Sequence, residues 1–172
     1  GDSTFAHSGI TGVLNTVYNG GAGTVIILDN RITAMTGRQG NPLNGITLQD
    51  RPSKEVDLLA LLRGLGVEHI REVDPKNYEE TLSALREEVA REEYSVLIFK
   101  SPCILLTKTW PAPYEIDPDT CTGCKICNTL GCPAIEFDEE SNKSNIIKSQ
   151  CRGCDLCAQV CPFDAISQTK EA

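Results

Sequence analysis

Two cysteine runs, Cys121-x2-Cys124-x2-Cys127-x4-Cys132-Pro133 and Cys151-x2-Cys154-x2-Cys157-x3-Cys161-Pro162, carry the clearest chemistry in this 172-residue sequence. Corresponding cysteines lie 30 residues apart for the first three pairs and 29 for the last, so the segment is an internal duplication with two sites. Three thiolates on a tight loop can cap three corners of a cubane iron–sulfur cluster, and in proteins that hold two clusters the cysteine before proline ligates the other one. The expected sets are therefore crossed. Cys121, Cys124, Cys127 and Cys161 hold one [4Fe-4S] cluster, and Cys151, Cys154, Cys157 and Cys132 hold the second. Gly123 and Gly153 let the backbone close around inorganic sulfide, while the two prolines keep the loop from continuing as helix. Zinc is the rival ligand, but its structural sites show two C-x2-C pairs with a long spacer. A disulfide framework would leave the repeat unexplained.

A second constellation lies at the other end. Gly1-Asp2-Ser3 is followed, after 26 residues, by Asn30. This is the arrangement of a thiamin diphosphate motif, which usually reads Gly-Asp-Gly with a pair of Asn at similar distance. Mg2+ takes octahedral oxygen ligands and bridges phosphates through one or two protein side chains, a task that Asp2 and the Asn30 amide oxygen suit. A helix N-terminus following Gly-Asp-Ser offers backbone N–H groups to the same phosphates. Ser3 in place of Gly and Asp29 in place of the first Asn depart from the general motif. Gly-Asp-Ser is also a common turn and Asp-Asn a common loop entry, so these residues alone leave both readings open.

The elements that must position these groups form two domains. Eight of the nine cysteines lie in the last third, and the first two thirds carry only Cys103. The length and 40% hydrophobic content suit one core plus a small module stapled by a cofactor. The boundaries are read as 1–109 for an α/β domain, 110–113 (Trp-Pro-Ala-Pro) for a stiff linker, and 114–172 for the cysteine-rich domain. The net charge of −8 argues against nucleic acid as a partner. With no run of eighteen apolar residues and no leader before residue 1, the expectation is no membrane span, no signal peptide and a reducing cytoplasm. The chain opens without Met, in a sequence that ordinarily follows a buried strand, and is expected to be a piece of a longer polypeptide.

Within 1–109, helical spacing predicts a helix from Ser8 to about Asn19, and Thr24–Leu28 reads as a strand buried on both faces of a parallel sheet. Residues 31–53 form a long loop of functional type. A helix is expected from Lys54 to Leu65, a strand at His69–Val73, a helix capped by Asp74 with Pro75 at its first position running to about Glu93, and a strand at Ser95–Phe99. Leu82, Leu85 and Val89 are its apolar stripe, and its many glutamates read as a solvated face. Such alternation predicts a parallel sheet with ligands at the carboxyl ends of its strands. Cys103 and His69 read as structural residues, Cys103 buried. In the last domain a strand at Tyr114–Ile116 is expected to have Asn145–Ile147 as its repeat mate. Ile135, Phe137, Phe163 and Ile166 supply an apolar shell, and 138–144 a polar turn.

The runs Gly1-Asp-Ser-Thr-Phe5, His7-Ser-Gly9, Tyr18-Asn19 and Asp29-Asn-Arg-Ile-Thr-Ala-Met-Thr-Gly37, with Gln39, resemble the thiamin diphosphate domain of the alpha subunits of indolepyruvate ferredoxin oxidoreductases. That family also ends in a two-cluster ferredoxin module, and its first cluster motif is similar to the x4 spacing before Cys132. The resemblance covers nearly the whole chain. It implies a partial parallel-sheet thiamin domain followed by a small α+β ferredoxin-like domain. It implies Asp2, Asn30 and the Ile32 carbonyl as Mg2+ ligands, and Asp2, Ser3, His7, Asn30, Ile32, Thr36 and Gly37 as the cofactor-binding set; the catalytic residues stay unassigned. The activity implied is oxidative decarboxylation of an aryl 2-oxo acid, with coenzyme A, a beta subunit and an external ferredoxin as partners. Oxidoreductases for other 2-oxo acids such as pyruvate share this chemistry, and a pure electron-transfer polyferredoxin is the alternative of another class. The resemblance places the carboxylate that activates the aminopyrimidine in another domain, so this stretch alone is expected to hold clusters without turning over substrate.

Overall fold

The computed structural model describes residues 1–169, so the end of the expected 114–172 domain, residues 170–172, lies outside the described residues. The chain divides into two compact units, Gly1–Leu106 and Thr107–Ala172.

The first unit is built on three parallel strands in the order β1-β3-β2: β1 Gly23–Asp29, β2 His69–Val73 and β3 Tyr94–Lys100. The central strand β3 carries the run Ser95-Val96-Leu97-Ile98, buried on both faces. Among the described residues β1, expected to be buried on both faces, stands at the edge of the sheet, and its alternate residues Ile26 and Leu28 are 43% and 54% exposed. Its other face, with Val25 and Ile27, joins Val96 and Ile98 in a core closed by helices α2 (Ile10–Tyr18) and α3 (Leu58–Gly64). Helix α4 (Tyr78–Val89) covers the opposite face through Ala84 against Leu97 and Val73.

Helical structure begins earlier than Ser8. Helix α1 (Asp2–Thr4), a π-helical turn (Phe5–Gly9) and α2 follow one another without a break. The π turn brings the Phe5 ring over Gly9, where an added Cβ would sit 2.7 Å from the ring. Tyr18, at the end of α2, is 85% exposed.

Other boundaries also shift for local reasons. Lys54, Glu55 and Val56 are not helical, because the Val56 N–H donates to the Pro42 carbonyl and ties the segment to the long loop. Asp57 then caps α3 by accepting from the Ala60 N–H. The Asp74 carboxylate closes a local turn on the Lys76 N–H, and Asn77 caps α4 through the Glu80 N–H. The helix ends at Val89, which is exposed, whereas Glu88 on the supposed solvated face is buried. Its carboxylate pairs with Arg91 at 2.9 Å, and the hydrogen bond from Arg91, against the cost of burial, holds it below the ordinary glutamate range.

The second unit contains two antiparallel pairs. Strand β4 (Tyr114–Ile116) pairs with β7 (Ile166–Gln168), and β5 (Ile135–Asp138) with β6 (Lys143–Ile146). The repeat mate of β4 is thus β6, beginning two residues before the expected Asn145. Ala134, Ile146, Ala165 and Ile166 are buried, with Ile135 packed against this core, while Phe163 is 45% exposed. Residues 110–113, expected to be a linker, pack into this unit. The Arg152 guanidinium lies 4.4 Å over the Trp110 ring, and a Cβ on Gly153 would meet the Ala112 carbonyl at 2.8 Å. The Thr169 N–H donates to the Pro113 carbonyl. Among the described residues no helix is long and apolar enough to cross a membrane.

Candidate functional site

Asp2 occupies the first turn of a helix, where a carboxylate is favoured by the helix dipole, and Gly1 before it lies against the Leu28 carbonyl near the end of β1. Asp2 is 2% exposed. The side chain that meets it is Asn41, whose Nδ2 donates to Asp2 Oδ2 at 3.0 Å. Asn41 is buried as well; its Oδ1 accepts from the Leu43 N–H and its own N–H donates to Asn44 Oδ1. Asn44 in turn donates to the Arg31 carbonyl. The long loop is therefore pinned to Asp2 at one point and to the residue after Asn30 at another. Sequence reading missed Asn41 and Asn44, although two asparagines flanking Pro42-Leu43 in a Gly-rich stretch are typical side-chain caps of tight turns.

Beyond β1, the Asn30 Oδ1 accepts from the Ile32 N–H at 3.2 Å, and the Asn30 carbonyl accepts from the Cys103 N–H. Cys103 is half-buried rather than buried. Arg31 stands at φ 64, a left-handed conformation that is costly for a residue with a Cβ. It is over-determined: buried Asp29 accepts from the Arg31 N–H, and the guanidinium bonds Glu55 at 2.6 Å. Partial burial works against the Arg31 charge, but the bond to Glu55 and the carboxylates of Asp29 and Glu55 outweigh it and hold its pKa above the ordinary value. Ser3 is half-buried and Ile32 buried. His7, Thr36 and Gly37 are exposed, and Thr36 is engaged with Gln39, its hydroxyl bonding the Gln39 amide oxygen at 2.6 Å.

In the second unit one cavity is lined by Cys121, Cys124, Cys127 and Cys161 together, closed by Ile116, Phe163 and Ile166. Three of these cysteines come from one loop and the fourth from the other half of the repeat. Gly123 and Gly153 stand at φ 74 and 65, and a Cβ on Gly123 would run into the Asn142 carbonyl. Cys151, Cys154 and Cys157 are close neighbours. Burial, and then the charges of Cys154 and Cys151, push the Cys157 thiol up to about 12. Cys132 packs in one buried group with Cys127, Cys151, Cys157 and Cys161. The Tyr114 N–H donates to Cys151 Sγ at 3.3 Å. Among the described residues no three acidic, histidine or cysteine side chains gather as closely as a single metal ion requires. A cavity walled by four thiols suits a polynuclear cluster, whose corners lie apart.

Comparison with known proteins agrees with both halves. A profile of the thiamine pyrophosphate enzyme, C-terminal TPP binding domain, matches residues 1–99, and a 4Fe-4S dicluster domain profile matches residues 113–162. The chain is 39% identical over 180 residues to the indolepyruvate oxidoreductase subunit IorA of Pyrococcus abyssi, covering 99% of this chain and 28% of the relative. It is 36% identical to that of Methanothermobacter marburgensis, covering 96% and 27%. The chain thus spans little more than a quarter of the length of these relatives. The pyruvate synthase subunit PorD of M. marburgensis is 38% identical over 56 residues, 33% of this chain and 64% of the relative. No solved structure matches significantly. One profile takes in more than half of the residues, and the chain belongs to the thiamine pyrophosphate enzymes, carrying their C-terminal TPP-binding domain joined to a 4Fe-4S dicluster domain.

Proposed function

We propose that this chain is the thiamin and electron-transfer part of a 2-oxo acid oxidoreductase acting on indolepyruvate or a similar aryl 2-oxo acid. In the reaction a 2-oxo acid anion and the thiol of coenzyme A become an acyl thioester, carbon dioxide and one proton, and two electrons leave for an external ferredoxin. The observation that carries this reading is the joining of the two domains in one chain, in the order and over nearly the full span that align with the indolepyruvate oxidoreductase subunits.

Bound thiamin diphosphate supplies the electron sink for decarboxylation, and bound clusters accept electrons one at a time. The residues of this chain hold and orient. Asp2 and Asn30, with the Ile32 carbonyl, present oxygen ligands of the kind Mg2+ takes, and the buried Asp2 carboxylate suits a hard cation. Asn41 fixes one Asp2 oxygen by its hydrogen bond. Ser3, in the first turn of the helix, and the exposed His7, Thr36 and Gly37 complete the proposed cofactor-binding set. Cys121, Cys124, Cys127 and Cys161 hold one cluster, and Cys151, Cys154, Cys157 and Cys132 the other. A beta subunit completes the enzyme, and the reducing cytoplasm suits its thiolates.

The test is an anaerobic assay of the complete enzyme with indolepyruvate, coenzyme A, Mg2+, thiamin diphosphate and an electron-accepting dye. Dye reduction that requires all four supports the reading. Reduction with pyruvate but not with indolepyruvate moves the substrate, and an absence of thiamin diphosphate binding reduces the chain to an electron carrier.

A further inference from the structure

The two halves of the duplication place the same backbone position between the second and third cysteines of each loop, at residues 125 and 155. Both residues are left-handed, with φ 61 and 72. One is lysine and the other aspartate. Lys125 lines the cavity shared by Cys121, Cys124, Cys127 and Cys161, and its ammonium lies 3.8 Å over the Phe137 ring and 3.2 Å from Glu139. Asp155 Oδ1 accepts from the Tyr114 hydroxyl at 2.7 Å, and the same Tyr114 donates its backbone N–H to Cys151 Sγ.

We propose that Lys125 and Asp155 set the two cluster sites to different reduction potentials. Lys125 raises that of the cluster held with Cys121, Cys124, Cys127 and Cys161, and Asp155 lowers that of the cluster held with Cys151, Cys154, Cys157 and Cys132. This rests on the two-cluster reading above. Reduction adds one electron to a site that already carries about −2 with its four thiolates, and no bond or proton changes hands. A neighbouring ammonium favours that added negative charge and a carboxylate opposes it, by the same Coulomb rule that shifts a pKa.

Two further cations are matched between the loops, and Asp117 and Asp164 near the first site are exposed to water, which screens them. Lys143 donates to the Cys121 carbonyl and Arg152 to the Cys151 carbonyl, so each loop has one such cation at the matching place. Glu139 partly offsets Lys125, but its side chain is 80% exposed against 50% for Lys125, so water screens the carboxylate more. The Tyr114 N–H bond to Cys151 raises the second potential, but it is one dipole set against a difference of two unit charges.

The experiment is a dithionite-poised redox titration of the complete, anaerobically purified protein, followed by electron paramagnetic resonance with iron counted on the same samples. At about eight irons per chain, two separated midpoints are expected. Lys125→Gln should move the higher midpoint down, Asp155→Asn should move the lower one up, and Lys125→Arg, which keeps the charge, should leave the titration as in the parent. If Lys125→Gln loses its cluster, Asp155→Lys on the other loop reads the same effect, with an upward shift larger than that of Asp155→Asn. A single midpoint at eight irons, or a pair of midpoints that ignores these charge changes, overturns the assignment. Four irons or fewer overturns instead the two-cluster reading beneath it.

Discussion

Asn41 and Asp2, 39 residues apart in sequence, meet through an Nδ2 to Oδ2 hydrogen bond of 3.0 Å in a place where both are buried. A loop residue therefore fixes the orientation of the carboxylate proposed to face Mg2+. Asn41→Ala removes a donor from a buried carboxylate, a change that costs about 1–3 kcal/mol. Calorimetric titration of the complete protein with thiamin diphosphate and Mg2+ should show weakened affinity, and the thermal midpoint should fall. Full affinity in this variant would mean that the bond shapes the loop alone.

Asp2→Ala is expected to abolish Mg2+-dependent binding of thiamin diphosphate while leaving the iron content unchanged. The two sites lie in separate compact units, so the losses should not mix. Iron analysis beside the calorimetry checks this, and undiminished cofactor binding would move the ligand role away from Asp2.

Iron should amount to about eight atoms per chain after anaerobic purification. Cys103→Ala should leave that count intact, because Cys103 lies in the other unit, with its N–H on the Asn30 carbonyl. Cys132→Ser should damage the cluster of Cys151, Cys154 and Cys157. Spectra that instead show loss of the Cys121, Cys124 and Cys127 cluster would refute the crossed ligation.

Glu88 gives a pH signature in the first unit. Its pKa is lowered, chiefly by the hydrogen bond from Arg91, so the stability it contributes is present above the unfolded-state value of about 4.3 and is lost as pH falls through the lower folded value. Glu88→Gln should lower stability at neutral pH by about 1 kcal/mol. Melting curves of parent and variant should converge in acid, as pH falls through the lowered folded value of Glu88. A gap that stays constant down to that range would assign the effect to packing.

Much of this molecule is legible in the sequence where one local signal acts alone. The β2 strand falls at its expected residues because a short stretch with Ile70 and Val73 stands between Gly66 and Asp74-Pro75, and the cysteine spacing points to its two sites without help from the fold. Reading fails where two local signals compete or where the deciding contact is distant. Asp74 and Asn77 can both cap a helix, and the choice fell to Asn77 because Asp74 closes the turn before it. Val56 has helical spacing with its neighbours, but Pro42, fourteen residues earlier, claims its N–H. Glu88 looks like one more surface glutamate until Arg91 and the neighbouring strand bury it. Asn41 has a loop residue's neighbours, and only the folded chain reveals that its amide reaches Asp2.

The contacts of Trp110, Pro111 and Ala112 decide where an excised cluster module would have to begin. Cut before Tyr114, as proline content and the first strand invite, the piece would leave Arg152 without its aromatic cover and Gly153 without the backbone that packs on it, in the loop between Cys151 and Cys154. A piece starting at Thr107 keeps both. The short Pro-rich stretch is a strap on one iron–sulfur loop, and shuffling of such modules between larger proteins would have to carry the strap along.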